Sequence, residues 1–113
     1  MATATIRARS SNDWIKTFIW NRSDNAALTG RTLALQARRE AANEEILLDL
    51  DSASKGGIEV VDAASRKFKI TIPRGRLGHM LGETVFDLVC VETDGIVLPI
   101  LEGKIITVQG VRR

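Results

Sequence analysis

Apolar and polar residues alternate along most of the chain, and this pattern predicts β-strands. In residues 67–72 the apolar positions Phe68, Ile70 and Ile72 are separated by lysine and threonine. This is the pattern of a strand that buries one face and exposes the other. The same pattern recurs, with turn residues between the segments, in residues 14–20, 31–39, 46–50, 58–62, 84–92 and 96–108. Short alternating strands separated by turns predict an all-β fold, either an antiparallel sandwich or a small barrel.

One segment combines the pattern of a strand with the composition of a helix. Residues 33–45 are rich in Ala, Arg and Glu, which favour helices, but Leu33, Leu35 and Ala37 alternate with other residues as in a strand. A helix here would place charged residues beside its own apolar stripe. We therefore predict strands at 31–39 and 46–50, and residues 39–45 stay open as a loop or a helical turn.

The end of the chain predicts one hairpin and one irregular strand. Asp94-Gly95 is a favoured pair for a two-residue hairpin loop, because both residues accept positive φ. Glu resists positive φ, so Glu102-Gly103 is interpreted as a β-bulge in one long strand from residue 96 to about residue 108. Such a bulge would switch the parity of the inward-facing residues.

The first residues and the stretch before the strand at 84–92 lack this alternation. Residues 1–12 are rich in Ala, Thr and Ser, and we predict a flexible N-terminal arm there, followed by a single sandwich domain at 13–113. Residues 74–83 contain three glycines together with Leu77 and Met80. This composition predicts a crossing loop with a helical turn that packs on the core.

The inward positions of four strands give the predicted core. It consists of Trp14, Phe18, Leu33, Leu35, Phe68, Ile70, Ile72, Phe86 and Leu88.

Charge and cysteine content exclude several classes of protein. The 16 basic and 14 acidic residues leave a net charge of +2, and the basic residues are spread along the chain. Nucleic acid is therefore not expected as a primary partner, since such sites concentrate basic residues on one face. No apolar run is long enough for a membrane, so no membrane partner is expected. Cys90 is the single cysteine, which excludes an intrachain disulfide and suits synthesis in a reducing cytoplasm.

No group of residues indicates catalysis, a metal or a cofactor. His79 is the single histidine and has no partner in a sequence motif, and Cys90 alternates with inward apolar residues. The carboxylates of Glu44, Glu45, Asp49, Asp51 and Asp62 only partly imitate a calcium loop and are interpreted as turn residues. We predict a protein that is not an enzyme and has no catalytic, cofactor-binding or metal-binding residue.

Several segments in sequence order resemble one family of proteins. They are WIKTFIW, LTGRTLALQAR, GGIEVVDAASRKFKITIP, VFDLVCVETDG and ILEGKIITVQGVRR. Together they are similar to small phage and prophage virion proteins, such as the N-terminal domain of the siphophage baseplate upper protein. The resemblance implies an antiparallel immunoglobulin-like β-sandwich of about seven to eight strands. It also implies a structural role in the virion, with synthesis in the bacterial cytoplasm and other virion proteins or further copies of the chain as partners. The alternative is a carbohydrate-binding or adhesion module on the same fold.

The final strand is the predicted contact region. It is apolar on both faces, and we expect it at a sheet edge, where it could bind another protein by face packing or strand addition. The predicted contact residues are Val97, Pro99, Leu101, Lys104, Ile106 and Val108. In the alternative interpretation, Pro99, Lys104 and the Glu102-Gly103 bulge protect that edge and the N-terminal arm covers the second face.

Overall fold

Two β-sheets share one hydrophobic core in the computed structural model of the chain, which describes residues 2–20, 28, 30–40, 42, 45–53 and 55–110. The described residues form eight strands and one helical turn. In chain order these are β1 (Ala2–Arg9), β2 (Trp14–Ile19), β3 (Thr32–Arg38), β4 (Leu48–Asp51), β5 (Ile58–Asp62), β6 (Lys67–Ile72), α1 (Arg74–Leu77), β7 (Gly82–Val91) and β8 (Val97–Val108). One sheet has the order β1-β8-β7-β3-β4, and the other has the order β2-β6-β5. The prediction of an all-β fold is confirmed.

Alternation along the strands builds the core, as the sequence predicts. Seven of the nine predicted core residues are buried, namely Leu33, Leu35, Phe68, Ile70, Ile72, Phe86 and Leu88. The prediction is wrong for Trp14 and Phe18, which are only half-buried and pack against the core. Their strand, β2, is an edge strand, so the aromatic side chains lie at the border of the core. Phe18 stacks on Phe68 with ring centroids 5.7 Å apart.

The N-terminal segment is a strand, which corrects the prediction of a flexible arm for residues 2–9. β1 pairs in parallel with β8, in an unbroken register from Ala2 opposite Leu101 to Arg9 opposite Val108. Ile6 and Ala8 point inward and are buried. The sheet is therefore not purely antiparallel, and β8 lies between β1 and β7 instead of at an edge.

The hairpin between β7 and β8 lies where the sequence predicts it but has three loop residues instead of two. The Glu92 N–H donates to the Ile96 carbonyl at 2.8 Å and the Gly95 N–H donates to the Glu92 carbonyl at 3.0 Å, which closes the loop over residues 93–95. Gly95 has a φ of 89° and Asp94 has no positive φ. The Asp94 carboxylate instead accepts the Ile96 N–H at 3.1 Å. One residue at positive φ after a turn is typical of three-residue hairpin loops.

The bulge of β8 lies at Ile100, which corrects its predicted position at Glu102-Gly103. Leu88 of β7 pairs with Leu101, and the next residue, Val89, pairs with Pro99, so Ile100 is the extra residue. The parity of the inward residues does switch along β8, but two to three residues earlier than predicted. Gly103 has another role, because a Cβ atom there would lie 1.8 Å from the Ala4 carbonyl oxygen. Glycine lets β1 approach β8 at this point.

The segment after β6 forms the predicted helical turn. Pro73 precedes α1, and its fixed φ suits the start of a helix. Leu77 and Met80 are fully buried, so this segment closes one end of the core. In the other ambiguous segment, the described residues 39, 40, 42, 45 and 46 are not helical, whereas residues 41, 43 and 44 lie outside the described part.

Candidate interaction surface

The predicted contact residues lie mostly on the outer face of the five-stranded sheet, the face that points away from the core. Val97, Pro99, Lys104 and Val108 are exposed there, and Ile106 is half-buried. Leu101 is an error in this set, because it pairs with the buried Leu88 and packs against the core. The cause is the bulge: with the extra residue at Ile100, Leu101 turns inward and Glu102 turns outward.

Apolar residues form a continuous patch at the hairpin end of this face. Val97 pairs with Val91, and Pro99 pairs with Val89, which in turn pairs with Ala34 on β3. Val97 is 55% exposed. We call these five residues the hairpin-end patch.

The middle of the outer face is charged. Cross-strand register places Thr3, Glu102, Asp87, Gln36 and Asp49 in one row, and the next row contains Thr5, Lys104, Val85 and Arg38. Residues of both rows line an open hollow of about 490 Å³. Lys104 donates to the Glu83 carboxylate at 2.9 Å. This region separates the hairpin-end patch from the apolar residues at the other end of β8.

The far end of β8 borders a second hollow, of about 450 Å³, which is lined by residues of β1, β2 and β8 and of the turn between β1 and β2. Its lining combines one aromatic residue with polar and apolar groups: Arg7, Ala8, Arg9, Asn12, Asp13, Trp14, Ile106 and Val108. Trp14 is half-buried, so part of its ring system is open to this hollow. The Asp13 carboxylate accepts the Arg74 N–H at 2.8 Å and thereby holds α1 beside the hollow.

Cys90, His79 and the described carboxylates that were considered above for catalysis or metal binding do not line either of these two hollows. Cys90 is fully buried between Leu33 on β3 and Leu98 on β8, and His79 is exposed in the loop after α1. The Asp51 carboxylate accepts the N–H groups of Ala53 and Lys55 at 2.9 and 3.0 Å, as expected for a turn residue.

Asp62 likewise accepts N–H groups of its own turn, and Asp49 is paired with a cation. Asp49 accepts a hydrogen bond from Lys55 at 2.7 Å, which raises the pKa of the lysine above its usual value. Glu44 lies outside the described residues. Within them, no three His, Cys, Asp or Glu side chains are close enough to hold a metal ion. The same part of the chain has no helix that is long and apolar enough to cross a membrane.

Sequence reasoning missed two parts of this surface. Val89, Val91 and Ala34 join the hairpin-end patch only through strand pairing, so no local pattern marks them. Residues 2–9 did contain a signal, because Ile6 and Ala8 alternate with Thr5, Arg7 and Arg9. The high content of Ala and Thr obscured this alternation, since neither residue is strongly apolar.

Comparison with known proteins does not assign the chain to a group. No protein-family model matches it, and no curated protein is similar to it at a significant level. The likeness to phage virion proteins therefore stays an expectation that rests on the quoted segments.

Proposed function

We propose that the protein is a structural component of a phage or prophage virion, of the tail or baseplate type, and that it acts through protein–protein contacts. The observation that carries this proposal is the hairpin-end patch, where five apolar residues of three strands meet on an open sheet face. A contiguous apolar patch on an open face is typical of a contact with another protein. In this proposal Val97 and Pro99 belong to the contact, and Lys104, Ile106 and Val108 extend it along β8.

The proposal includes an immunoglobulin-like type for the sandwich, and the strand order supports it. If β2 to β8 are assigned in chain order to strands B, C, C′, D, E, F and G, one sheet has the order G-F-C-C′ and the other has the order B-E-D. This division between two sheets is the one found in variable-type immunoglobulin domains. β1 then extends the first sheet beside strand G.

Incorporation into particles tests the virion role. We expect the protein to co-sediment with intact particles when they are purified on a density gradient from a lysogen that carries the gene. Replacing Val97 by Asp should reduce its incorporation, because a charge would enter an apolar contact. Ile15→Asp is the matched control, since Ile15 is 59% exposed but lies on the other sheet. A protein that stays with the free proteins at the top of the gradient would contradict the proposal.

A carbohydrate-binding role is the second candidate, and the hollow beside Trp14 favours it. Sugar sites combine an aromatic ring with planar polar side chains, and here Trp14 lies near Arg7, Arg9 and Asn12. In this case the fluorescence of Trp14 should change when oligosaccharides are titrated in a Trp20→Phe background. Isothermal titration calorimetry of the Trp14→Phe variant should show that binding is lost with the indole. Calorimetry is used here because the chain has two tryptophans and no tyrosine, and a variant without both indoles has no fluorescence to follow. No fluorescence change over a panel of bacterial surface glycans would exclude this role for the hollow.

A further inference from the structure

We propose that the open edge of β1 binds the same edge of a second copy of the chain, so that two five-stranded sheets join into one sheet through an antiparallel β1–β1 pair across a two-fold axis. This proposal names one partner for the proposed function, a second copy of the chain. Only the role of the contact in a virion rests on that function. Its physical basis is the difference between β1 and the other edge strands.

Among the described residues, each of the other three edge strands has a feature that opposes pairing. β4 has only four residues, and β5 has a register shift between Val60 and Asp62. β2 contains Lys16 on the same side as Trp14 and Phe18, with its Nζ atom 5.5 Å from the Phe18 ring centroid. Short strands, bulges and inward-pointing charges are common protections of sheet edges. β1 has eight residues, an unbroken register and no proline.

The backbone of β1 presents hydrogen-bonding groups at its free side. The Ser10 N–H donates to the Val108 carbonyl at 3.0 Å. This bond shows which residues of β1 direct their backbone groups towards β8, because successive residues of a strand direct them to opposite sides. The even-numbered residues of β1 therefore bond to β8, and Thr3, Thr5, Arg7 and Arg9 direct their N–H and C=O groups to the open edge. No described strand pairs with that edge.

Charge selects one register for the second copy. Arg7 and Arg9 would repel an identical strand in some registers and would act there as edge protection. With the axis at Thr5, however, Arg7 of each copy lies opposite Thr3 of the other copy. Thr3 begins the row that continues with Glu102 and Asp87, and neither carboxylate has an ion-pair partner among the described residues.

The neighbouring registers lack this complementarity. An axis at Ile6 places Arg7 opposite Thr5, in the row of Lys104, and an axis at Arg7 places two arginines opposite each other. Like charges in facing positions destabilise a strand pair. Only the register centred on Thr5 places Arg7 beside an acidic row.

A pair of proline variants tests the edge. Thr5→Pro removes the N–H that points to the open edge and leaves the bonds to β8 in place. Thr17→Pro is the matched control, because Thr17 is an exposed threonine of edge strand β2. The Trp20 N–H donates to the Arg66 carbonyl at 3.0 Å, so by alternation the Thr17 N–H also points away from the sheet.

Sedimentation of the purified full chain from about 1 µM to about 100 µM is the measurement. We expect a dimer for the wild type and for Thr17→Pro, and a monomer for Thr5→Pro with an unchanged circular dichroism spectrum. A wild type that is monomeric at every concentration, or a Thr5→Pro variant that dimerises as well as the wild type, would overturn the proposal.

A charge exchange tests the register and does not depend on how proline is tolerated. Arg7→Glu and Glu102→Arg should each raise the dissociation constant of the dimer about tenfold or more, because like charges then lie on either side of Thr3 at both symmetric sites. The double variant should return towards the wild-type value. Within one chain Arg7 pairs with Ile106 and not with Glu102, so the rescue can arise only between copies. Absence of rescue would overturn the register centred on Thr5.

The outcomes separate the two proposals. A monomer that is incorporated into particles would overturn the dimer and leave the virion role standing. A dimer that never accompanies particles would overturn the virion role and leave the contact at β1 standing.

Discussion

Gly103 lies where β1 comes close to β8, and no larger residue fits there. A Cβ atom would lie 1.8 Å from the Ala4 carbonyl oxygen, which belongs to a paired strand and cannot rotate away. Gly103→Ala should therefore destabilise the protein by about 1–3 kcal/mol, measured by urea unfolding. Gly75→Ala is the control, because Gly75 lies in α1 and nothing is within 4 Å of its added Cβ. The Gly75→Ala variant should have unchanged stability or be stabilised by less than about 1 kcal/mol. Equal effects of the two changes on stability would contradict the close approach of β1 to β8.

At the turn after β5, Asp62 is held ionised by local hydrogen bonds. The Ser65 hydroxyl donates to its carboxylate, and the N–H groups of Ser65 and Ala64 donate to it at 3.4 and 3.2 Å. These bonds, that of the hydroxyl first, lower the pKa of Asp62 below its usual value. A lowered pKa in the folded state means that the contribution to stability is present above the pKa of the unfolded chain. It is lost as the pH falls through the lower value of the folded state.

Ser65→Ala should raise the pKa of Asp62 towards its usual value, because the largest cause of the shift is removed. Titration of the side-chain carboxyl by nuclear magnetic resonance measures this directly. Ser52→Ala is the control, since the Ser52 hydroxyl accepts the Leu33 N–H at 2.9 Å and belongs to a different turn. An Asp62 pKa that does not change in Ser65→Ala would show that the hydroxyl bond is absent in solution.

Within the three-stranded sheet, β6 is the central strand and supplies most of its core contact. Ile70 is 1% exposed and pairs with Lys16 of β2 on one side and Ile58 of β5 on the other. Ile70→Ala should lower the free energy of unfolding by about 2–5 kcal/mol, through lost burial and the cavity that remains. Ile15→Ala, on the exposed side of β2, should change it by no more than about 0.5 kcal/mol. Similar losses of unfolding free energy in both variants would contradict the assignment of Ile70 to the buried face of this sheet and of Ile15 to its exposed face.

For the molecule as a whole, β1 is important because it forms one edge of the larger sheet and keeps β8 inside that sheet. It covers β8 from Leu101 to Val108 and adds Ile6 and Ala8 to the core. Removal of residues 1–9 should lower the urea midpoint and cause concentration-dependent aggregation, because β8 becomes an apolar, unprotected edge. Light scattering together with urea unfolding measures both effects.

A point variant separates the role of β1 from any general effect of truncation. Ile6→Asp places a charge at a position that is 4% exposed and should reproduce much of the loss of stability. Thr3→Asp, on the exposed side of the same strand, should not. A truncated chain with the midpoint of the full chain would restore the interpretation of this segment as an arm.

Most of the strands and most of the core follow from local sequence patterns. Alternation is a local property, because residues two apart share one face of a strand, so the segments of β2 to β8 and residues such as Leu35, Phe68 and Leu88 could be read from it. The loop at Gly95 and the turn α1 were readable for the same reason, since they depend on the backbone preferences of a few adjacent residues. Of the six predicted contact residues, all except Leu101 lie on the outer face of the sheet, and their role in a contact stays a prediction.

The pairing of the strands, in contrast, depends on contacts between distant parts of the chain. The bulge at Ile100, which turns Leu101 inward, is defined by the register with β7 and not by any residue type in β8. The half-burial of Trp14 follows from the position of β2 at an edge, and β8 is internal because β1 joins it from the far end of the chain. A strand can form its backbone hydrogen bonds with any partner strand whose register buries the same face. The residues of one strand therefore do not define which strand pairs with it or whether it lies at an edge of the sheet. For this reason local patterns predicted the strands, and only the assembled sheets showed which edge stays open.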